Sequence, residues 1–276
     1  MDRIRLIASD MDATLLDEQS QLPAGFEETI HALAELGIRF APASGRPLYT
    51  LEAMFPTLQD ELVFIGDNGG AIRWKGQNLF TSEMSPEGWR ALNRLTREQG
   101  DIAVLCGLES AYVERPFAVH DAVLRHFYTK IEYVDRLEDV TAPADKFTIY
   151  LPQHNAQQAY DTVYASQRSI YSVAVAGECW VDIMNSGVHK GAALQTLGQL
   201  WGLPSESIMA FGDTYNDAEM LQTVLYGFLM ENGSEPLRQK VPFLAPSHRE
   251  AGVMQVLHRV LAQNGCVCPE DFVPAH

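Results

Sequence analysis

Short apolar segments alternate with amphipathic helical segments near both ends of this 276-residue chain. Between Pro23 and Leu36, for example, apolar residues recur at intervals of three and four, as in a helix with one buried face. Strands joined through helices are typical of a parallel sheet that is covered on both faces. We therefore predict an α/β fold with a doubly wound, Rossmann-like parallel sheet. The segments that we interpret as its strands are residues 4–9, 38–43, 62–65, 207–211, 226–230 and 243–245.

The middle of the chain, from about Thr81 to Ser186, has a different pattern. Its strand-like segments follow one another more closely, and the last two are joined by Gly177 and Glu178, as in a β-hairpin. We predict an inserted α+β domain at residues 82–186, which we call the cap. The catalytic core would then consist of residues 1–81 and 187–276.

The net charge limits the classes of ligand. The chain has 36 acidic and 20 basic residues, a formal charge of −16, which disfavours nucleic acid and anionic membrane surfaces as partners. The N-terminus is too short and too polar for a signal peptide, and no apolar run approaches the ~18 residues of a membrane helix. We expect a cytoplasmic protein, whose oligomeric state the sequence leaves open.

Reactive side chains follow the first two predicted strands. Asp10 and Asp12 come directly after the first strand, and Ser44, Gly45 and Arg46 follow the second. Ligands of open α/β sheets bind beyond the carboxyl ends of the strands. Two carboxylates there can act as nucleophile and as proton donor. A hydroxyl, an accessible backbone N–H and a guanidinium suit phosphate oxygens.

Two further groups occur in the C-terminal part. Lys190 begins a predicted helix, where free backbone N–H groups favour an anion. Asp213, Asn216 and Asp217 follow a predicted strand and offer oxygen ligands for a hard cation. Taken singly, the Asp10 and Asp12 pair is as compatible with a solvated loop or helix cap as with catalysis, residues 44–46 are better explained as a plain turn, and a lone lysine is ordinarily a solvated surface residue.

The order and spacing of these groups resemble a known family. The chain is similar to the haloacid dehalogenase superfamily of phosphatases, and its insertion resembles the C2-type cap of the Cof-type subgroup, including that of a bacterial sugar phosphatase. The matching residues are Asp10-x-Asp12-x-Thr14, Ser44, Lys190 and Gly212-Asp213-x-x-Asn216-Asp217.

The resemblance implies a role for each residue. Asp10 would be the nucleophile and Asp12 the general acid and then base. Mg²⁺ would be held by Asp10, Asp213 and the backbone carbonyl of Asp12. The remaining roles are substrate binding by Ser44, Gly45, Arg46, Lys190 and Asn216, and support of the site by Thr14 and Asp217.

Two positions outside these motifs carry additional expectations. Ala13 stands where the family usually has glycine, and a left-handed backbone there would cost alanine about 1 kcal/mol. Glu178, in the predicted hairpin of the cap, is a candidate contact to the leaving group. The alternative interpretation is that Glu178 is a solvent-exposed turn residue without a role in binding.

The predicted function is that of a magnesium-dependent phosphomonoester hydrolase. It would act through an aspartyl-phosphate on small phosphorylated metabolites, most readily sugar phosphates. The core motifs contact only phosphate and metal, so they do not identify the metabolite. Two alternatives stay open, namely a phosphotransferase or mutase with the same intermediate, and a phospho-accepting regulatory module. The cap argues against the regulatory module, because such a module is a single small doubly wound domain.

Overall fold

The computed structural model describes residues 2–276, which form two large sheets and nine α-helices within that range. The strands are β1 (Asp2–Arg3), β2 (Leu6–Asp10), β3 (Arg39–Ala43), β4 (Val63–Gly66), β5 (Ala71–Trp74), β6 (Gln77–Thr81), β7 (Ile102–Gly107), β8 (Ala111–Glu114), β9 (Ile131–Val134), β10 (Ala144–Tyr150), β11 (Tyr171–Val175), β12 (Trp180–Asn185), β13 (Ile208–Gly212), β14 (Tyr226–Met230), β15 (Phe243–Ala245), β16 (Cys266–Val267) and β17 (Val273–Pro274). The helices are α1 (Phe26–Glu35), α2 (Leu48–Ala53), α3 (Pro86–Gln99), α4 (Asp121–Phe127), α5 (Ala156–Asp161), α6 (Lys190–Trp201), α7 (Ala218–Thr223), α8 (Glu235–Arg238) and α9 (Gly252–Ala262).

The larger sheet has nine strands in the order β17-β15-β14-β13-β2-β3-β4-β5-β6. From β15 to β4 every neighbouring pair is parallel, and antiparallel strands are added at both edges. Helices α1 and α9 bury their apolar residues on one face, and α6, α7 and α8 bury theirs on the other. The prediction of a doubly wound α/β sheet is therefore confirmed.

The chain reverses its direction of winding between β2 and β13. Strand β2 pairs with β3 on one side and with β13 on the other, so the connections leave a crevice beyond the carboxyl ends of these central strands. All five residues of β2 are buried, as are those of β13. Asp10, which ends β2, and Asp213, which follows β13, are therefore anchored to well-packed central strands.

The smaller sheet has the order β11-β12-β10-β7-β8-β9 and is formed entirely by residues 102–185. Its strands are antiparallel except for the pair β8 and β9, and β11 and β12 form the predicted hairpin. Helices α3 and α5 pack on one face, where they contribute Trp89 and Ala156 to the apolar cluster. The cap boundaries at residues 82 and 186 stay a prediction.

Within residues 2–276, the structure contains no helix of the length and hydropathy that crossing a membrane requires.

Candidate active site

Three elements of the core bring Asp10, Lys190 and Asp213 together. Asp10 is the last residue of β2, and Asp213 directly follows β13, the neighbouring parallel strand. Lys190 is the first residue of α6, whose N-cap is His189; the His189 side chain accepts a hydrogen bond from the Ala192 N–H. The sequence prediction that these groups meet at one edge of the sheet is consistent with this placement.

Lys190 is fully buried between two carboxylates. Its Nζ donates to Asp10 Oδ1 at 2.5 Å and to Asp217 Oδ1 at 2.7 Å. Burial alone would lower the pKa of the ammonium, but Asp10 and Asp217 outweigh that effect and raise it. Because a buried charge is tolerated only when it is paired, Lys190 remains charged and ties the nucleophile candidate to the loop after β13.

Asp217 organises that loop. Its Oδ2 accepts hydrogen bonds from the backbone N–H groups of Asp213 at 3.0 Å and Thr214 at 3.2 Å. A Cβ atom on Gly212 would lie 2.4 Å from the Cβ of Asp217, so only glycine permits this close approach. The Thr14 hydroxyl donates to Asp213 Oδ1 at 3.5 Å from the opposite side.

The site has an excess of negative charge. One carboxylate oxygen each of Asp10, Asp213 and Asp217 lies within 4.8 Å of the others, and Lys190 is the cation that contacts Asp10 and Asp217. Burial, together with Asp217, raises the pKa of Asp10 to about 8, although Lys190 opposes the shift. Burial and Asp217 also raise the pKa of Asp213 to about 6.

The excess of negative charge and the carboxylate oxygen donors fit a hard divalent cation. Both oxygens of Asp217 already accept hydrogen bonds, whereas Asp10 and Asp213 each face the shared space from a strand end. Asp10 and Asp213 are therefore the better candidates for direct ligands, and Asp217 for a supporting role.

Asp12 and Arg46 form an ion pair at the edge of the site. The Arg46 guanidinium donates to both Asp12 oxygens, with Nη2 at 3.0 Å from Oδ1. The Asp12 side chain is 58% exposed, and that of Arg46 is 11% exposed. Between Asp10 and Thr14 the chain turns through Ala13, whose φ is 57°, so the left-handed backbone considered from the sequence is present. Asn232 donates to the Ala13 carbonyl at 2.9 Å.

Ser44 and Gly45 follow β3, parallel to β2. Ser44 is buried, and its hydroxyl accepts a hydrogen bond from the Arg46 N–H at 3.1 Å. Gly45 packs against Asn68, whose Oδ1 would lie 3.2 Å from a Cβ at that position. We call residues 44–46 the phosphate loop, after the role predicted for them.

Two predicted site residues, within the described residues 2–276, have no side-chain hydrogen bond to Asp10, Lys190, Asp213 or Asp217. Asn216 is exposed, and its Oδ1 accepts from the Thr214 hydroxyl at 2.5 Å. Glu178 lies in the turn before β12, and its side chain is 81% exposed. The other end of β12 leads into the core. Glu178 Oε2 is 3.2 Å from His154 Nδ1. The structure does not bring either to Asp10, and their contacts with substrate stay predictions.

Four polar residues near the site were not singled out from the sequence. They are Asp67 and Asn68 of the core and Lys146 and Asp182 of the cap, and all four are buried where cap and core meet. A signal was available, because Asp182 interrupts the apolar run at residues 180–184, and Lys146 begins the strand-like segment at residues 146–151. Charged residues in such positions need buried partners.

Comparison with known proteins agrees with this arrangement. A family model for haloacid dehalogenase-like hydrolases matches residues 7–257, which is most of the chain. The chain belongs to the haloacid dehalogenase-like hydrolase family. The family and the named relatives together identify it as a phosphatase.

Two curated relatives are phosphatases of small molecules. The 5-amino-6-(5-phospho-D-ribitylamino)uracil phosphatase YbjI of Escherichia coli is 31% identical over 94% of this chain and 96% of its own length. The HMP-PP phosphatase of Cronobacter sakazakii is 30% identical over 87% of this chain and 89% of its own length. Among solved structures, SMU.1108c from Streptococcus mutans superposes with a TM-score of 0.85 at 28% identity, over 94% of this chain and 99% of that protein.

Proposed function

We propose that this phosphatase hydrolyses phosphomonoesters of small metabolites through a phosphoryl group carried on Asp10. The observation that carries the proposal is the buried cluster of Asp10, Lys190 and Asp217, with Asp213 beside it, at the carboxyl ends of two adjacent parallel strands. An acyl phosphate requires a carboxylate held close to cations, because a bare carboxylate repels a phosphate ester.

Lys190 fixes the orientation of the nucleophile. It binds Oδ1 of Asp10, so we assign Oδ2 as the oxygen that attacks phosphorus. The Ser44 hydroxyl and the N–H groups of the phosphate loop would bind the non-bridging oxygens. In the first step the bond from Asp10 to phosphorus forms and the ester bond breaks. In the second, water cleaves the acyl phosphate and regenerates Asp10.

Asp12 is the proton carrier of this scheme. It would protonate the leaving alkoxide and later accept a proton from the attacking water. In the structure its carboxylate is bound by Arg46. A substrate phosphate that engages Arg46 would compete for the guanidinium and free Asp12 to reach the leaving oxygen. The ion pair therefore holds Asp12 at the edge of the site until substrate arrives.

Mg²⁺ is the proposed cofactor. Asp10, Asp213 and the carbonyl of Asp12 would hold it, and it would supply positive charge toward the phosphoryl oxygens. The fit rests on three clustered carboxylates, and burial together with Asp217 raises the pKa of Asp10 to about 8. Within the site, Lys190 alone does not balance three carboxylates.

The substrate class follows from the relatives. Sugar phosphates and phosphorylated sugar alcohols, such as the ribityl phosphate named for YbjI, are the candidates that we favour.

A screen of the purified protein tests the proposal. The panel contains sugar phosphates, 5-amino-6-(5-phospho-D-ribitylamino)uracil, HMP-PP and p-nitrophenyl phosphate, each with Mg²⁺ and with a chelator. We expect phosphate release that needs Mg²⁺ and is abolished by Asp10→Asn, whereas the exposed control Asp60→Asn keeps the parental rate. Turnover by Asp10→Asn at the parental rate would remove Asp10 from its role, and full activity in chelator would remove the metal. Added glycerol that captures the phosphoryl group faster than water would favour the transferase alternative.

A further inference from the structure

Cap and core meet in a buried polar cluster beside the phosphate loop. Lys146 of β10 donates from Nζ to the Gly45 carbonyl at 2.6 Å and lies 2.9 Å from Asp67 Oδ1 and 3.7 Å from Asp182 Oδ2. The three charged side chains are each at most 6% exposed. A cap residue therefore reaches into the backbone of the loop that follows β3.

The core side of this cluster is a turn at residues 67–69 that is hydrogen-bonded to the phosphate loop. The N–H of Asp67 donates to the Arg46 carbonyl at 3.0 Å, and the N–H of Asn68 donates to the Ser44 carbonyl at 2.9 Å. Gly69 packs so closely on the start of α6 that a Cβ there would lie 2.6 Å from the His189 carbonyl oxygen. The turn thus connects the phosphate loop to the helix that carries Lys190.

The backbone of this turn is strained. Asp67, Asn68 and Gly69 are all left-handed, with φ values of 50°, 55° and 98°. Aspartate and asparagine adopt this region more readily than other non-glycine residues, but normally as single residues and not in succession. Such strain persists only where surrounding contacts fix the conformation. Those contacts come from the core, through the Ser44 and Arg46 carbonyls, and from the cap, where Lys146 pairs with Asp67 and Asp182 accepts from Asn68 Nδ2 at 3.1 Å.

The cap holds its two charged residues in place with its own strands. Thr148 and Asp182 face each other on adjacent antiparallel strands, and the Thr148 hydroxyl donates to Asp182 Oδ1 at 2.7 Å. Asp182 and Asp67 offset the burial of the Lys146 ammonium and keep its pKa above the ordinary value. Lys146 is therefore a charged donor on a rigid sheet.

We infer that Lys146 is a positioning residue of the cap, which fixes the geometry of the phosphate loop through the Gly45 carbonyl and through the turn at residues 67–69. The inference rests on the proposed function. It differs from substrate selection, because Lys146 acts on the Gly45 backbone and the turn at residues 67–69. The interaction is consequently the same for every phosphomonoester.

Two variants separate positioning from mere stability. Lys146→Met leaves Asp67 and Asp182 buried without their cation, and breaking such a buried pair is strongly destabilising. The double variant Lys146→Met with Asp67→Asn removes the Lys146–Asp67 pair, while Asp182 keeps its hydrogen bonds from Thr148 and Asn68, so much of the lost stability should return. Lys130→Met, an exposed lysine of the same cap, is the matched control.

The measurements are kcat and KM on p-nitrophenyl phosphate and on the best sugar phosphate of the panel, and calorimetric binding of orthovanadate with Mg²⁺. A misplaced loop lowers rates by roughly 10–100-fold. For the double variant we expect a loss of that size in kcat on both substrates, a change in KM below about threefold, and a comparable loss in vanadate affinity. Lys130→Met should match the parent in all three.

Three results would overturn the inference. One is recovery of kcat in the double variant along with its stability, which would make Lys146 structural. Another is a loss confined to KM and to the sugar phosphate, which would make it a contact to the leaving group. The third is unchanged vanadate affinity. The vanadate measurement needs no turnover, so it decides the role of Lys146 even where the panel yields no substrate and the proposed function fails.

Discussion

The carboxylate excess at the active site predicts that the metal-free protein loses stability as pH rises. The pKa of Asp10 is about 8 in the folded protein and 3.8 for the unperturbed group. The folded state therefore retains this proton between those values, whereas the unfolded chain releases it. A stabilising contribution that is fully present below pH 3.8 is lost as pH rises to about 8.

The size of the effect follows from that linkage. One proton of difference contributes about 1.36 kcal/mol per pH unit, so from pH 5 to pH 8 Asp10 should account for about 4 kcal/mol. Asp10→Asn removes the titrating group with little change in shape. We expect the free energy of unfolding of Asp10→Asn, relative to the parent, to rise by an amount of this order over the same range.

Urea unfolding followed by circular dichroism, with chelator at pH 5, 6.5 and 8, measures this difference. The exposed control Asp60→Asn should show no such trend. At pH 8, Mg²⁺ at about 100 times its Kd should stabilise the parent by about 2.7 kcal/mol and Asp10→Asn by much less. If the difference between Asp10→Asn and the parent stays constant within about 1 kcal/mol from pH 5 to 8, the reasoning from buried carboxylates is refuted.

Three other perturbations follow from the structure. Asp12→Asn should slow the first step more for sugar phosphates than for p-nitrophenyl phosphate, whose leaving group needs no proton, and equal losses in single-turnover assays would argue against protonation by Asp12. Ca²⁺, which tolerates more ligands and looser geometry, should bind at Asp10 and Asp213 but support little turnover, and rates equal to those with Mg²⁺ would contradict this. Asp145 is fully buried, and neither carboxylate oxygen has a hydrogen-bond partner within residues 2–276. Burial and Asp67 raise the pKa of Asp145. We therefore expect Asp145→Asn to stabilise the protein by about 1–3 kcal/mol at pH 8 and by less at pH 5. Equal unfolding free energies of Asp145→Asn and parent at pH 8 would count against an ionisation cost at Asp145.

The central strands of the core were predictable because they are buried on both faces. The predicted strands at residues 226–230 and 243–245 match β14 and β15, and the predicted first helix overlaps α1. The edge of the sheet was not predicted. Strands β5 and β6 form a hairpin whose second strand has no fully buried residue, so it lacks the apolar run that marked the others.

Helices of the cap are shorter than the sequence pattern indicates. The pattern at residues 116–128 predicts one helix, whereas the structure has a 3-10 segment, Arg115–His120, followed by α4. The pattern at residues 156–166 likewise predicts a helix, which ends at Asp161. Short helices on a small sheet receive most of their stability from packing, and the apolar period alone does not show where that packing stops.

The core residues of the candidate site were predictable because strand ends fix their position. Asp10, Lys190 and Asp213 each lie within one residue of an element end, so the order of elements determined that they meet. The contact between Lys146 and the phosphate loop was not predictable. It joins residues about a hundred positions apart across two sheets, and depends on how the cap sits over the core.

Trapping of the phosphoryl group on Asp10 tests the central claim most directly. The parent enzyme and substrate are mixed with Mg²⁺, quenched in acid within one turnover and reduced with borohydride, which converts an acyl phosphate of aspartate to homoserine. Peptide mass spectrometry then locates the modified residue, with Asp10→Asn as the blank. We predict homoserine at position 10 in the parent, formed only when substrate is present. Turnover with an unmodified Asp10, or with homoserine at another aspartate, would contradict the account.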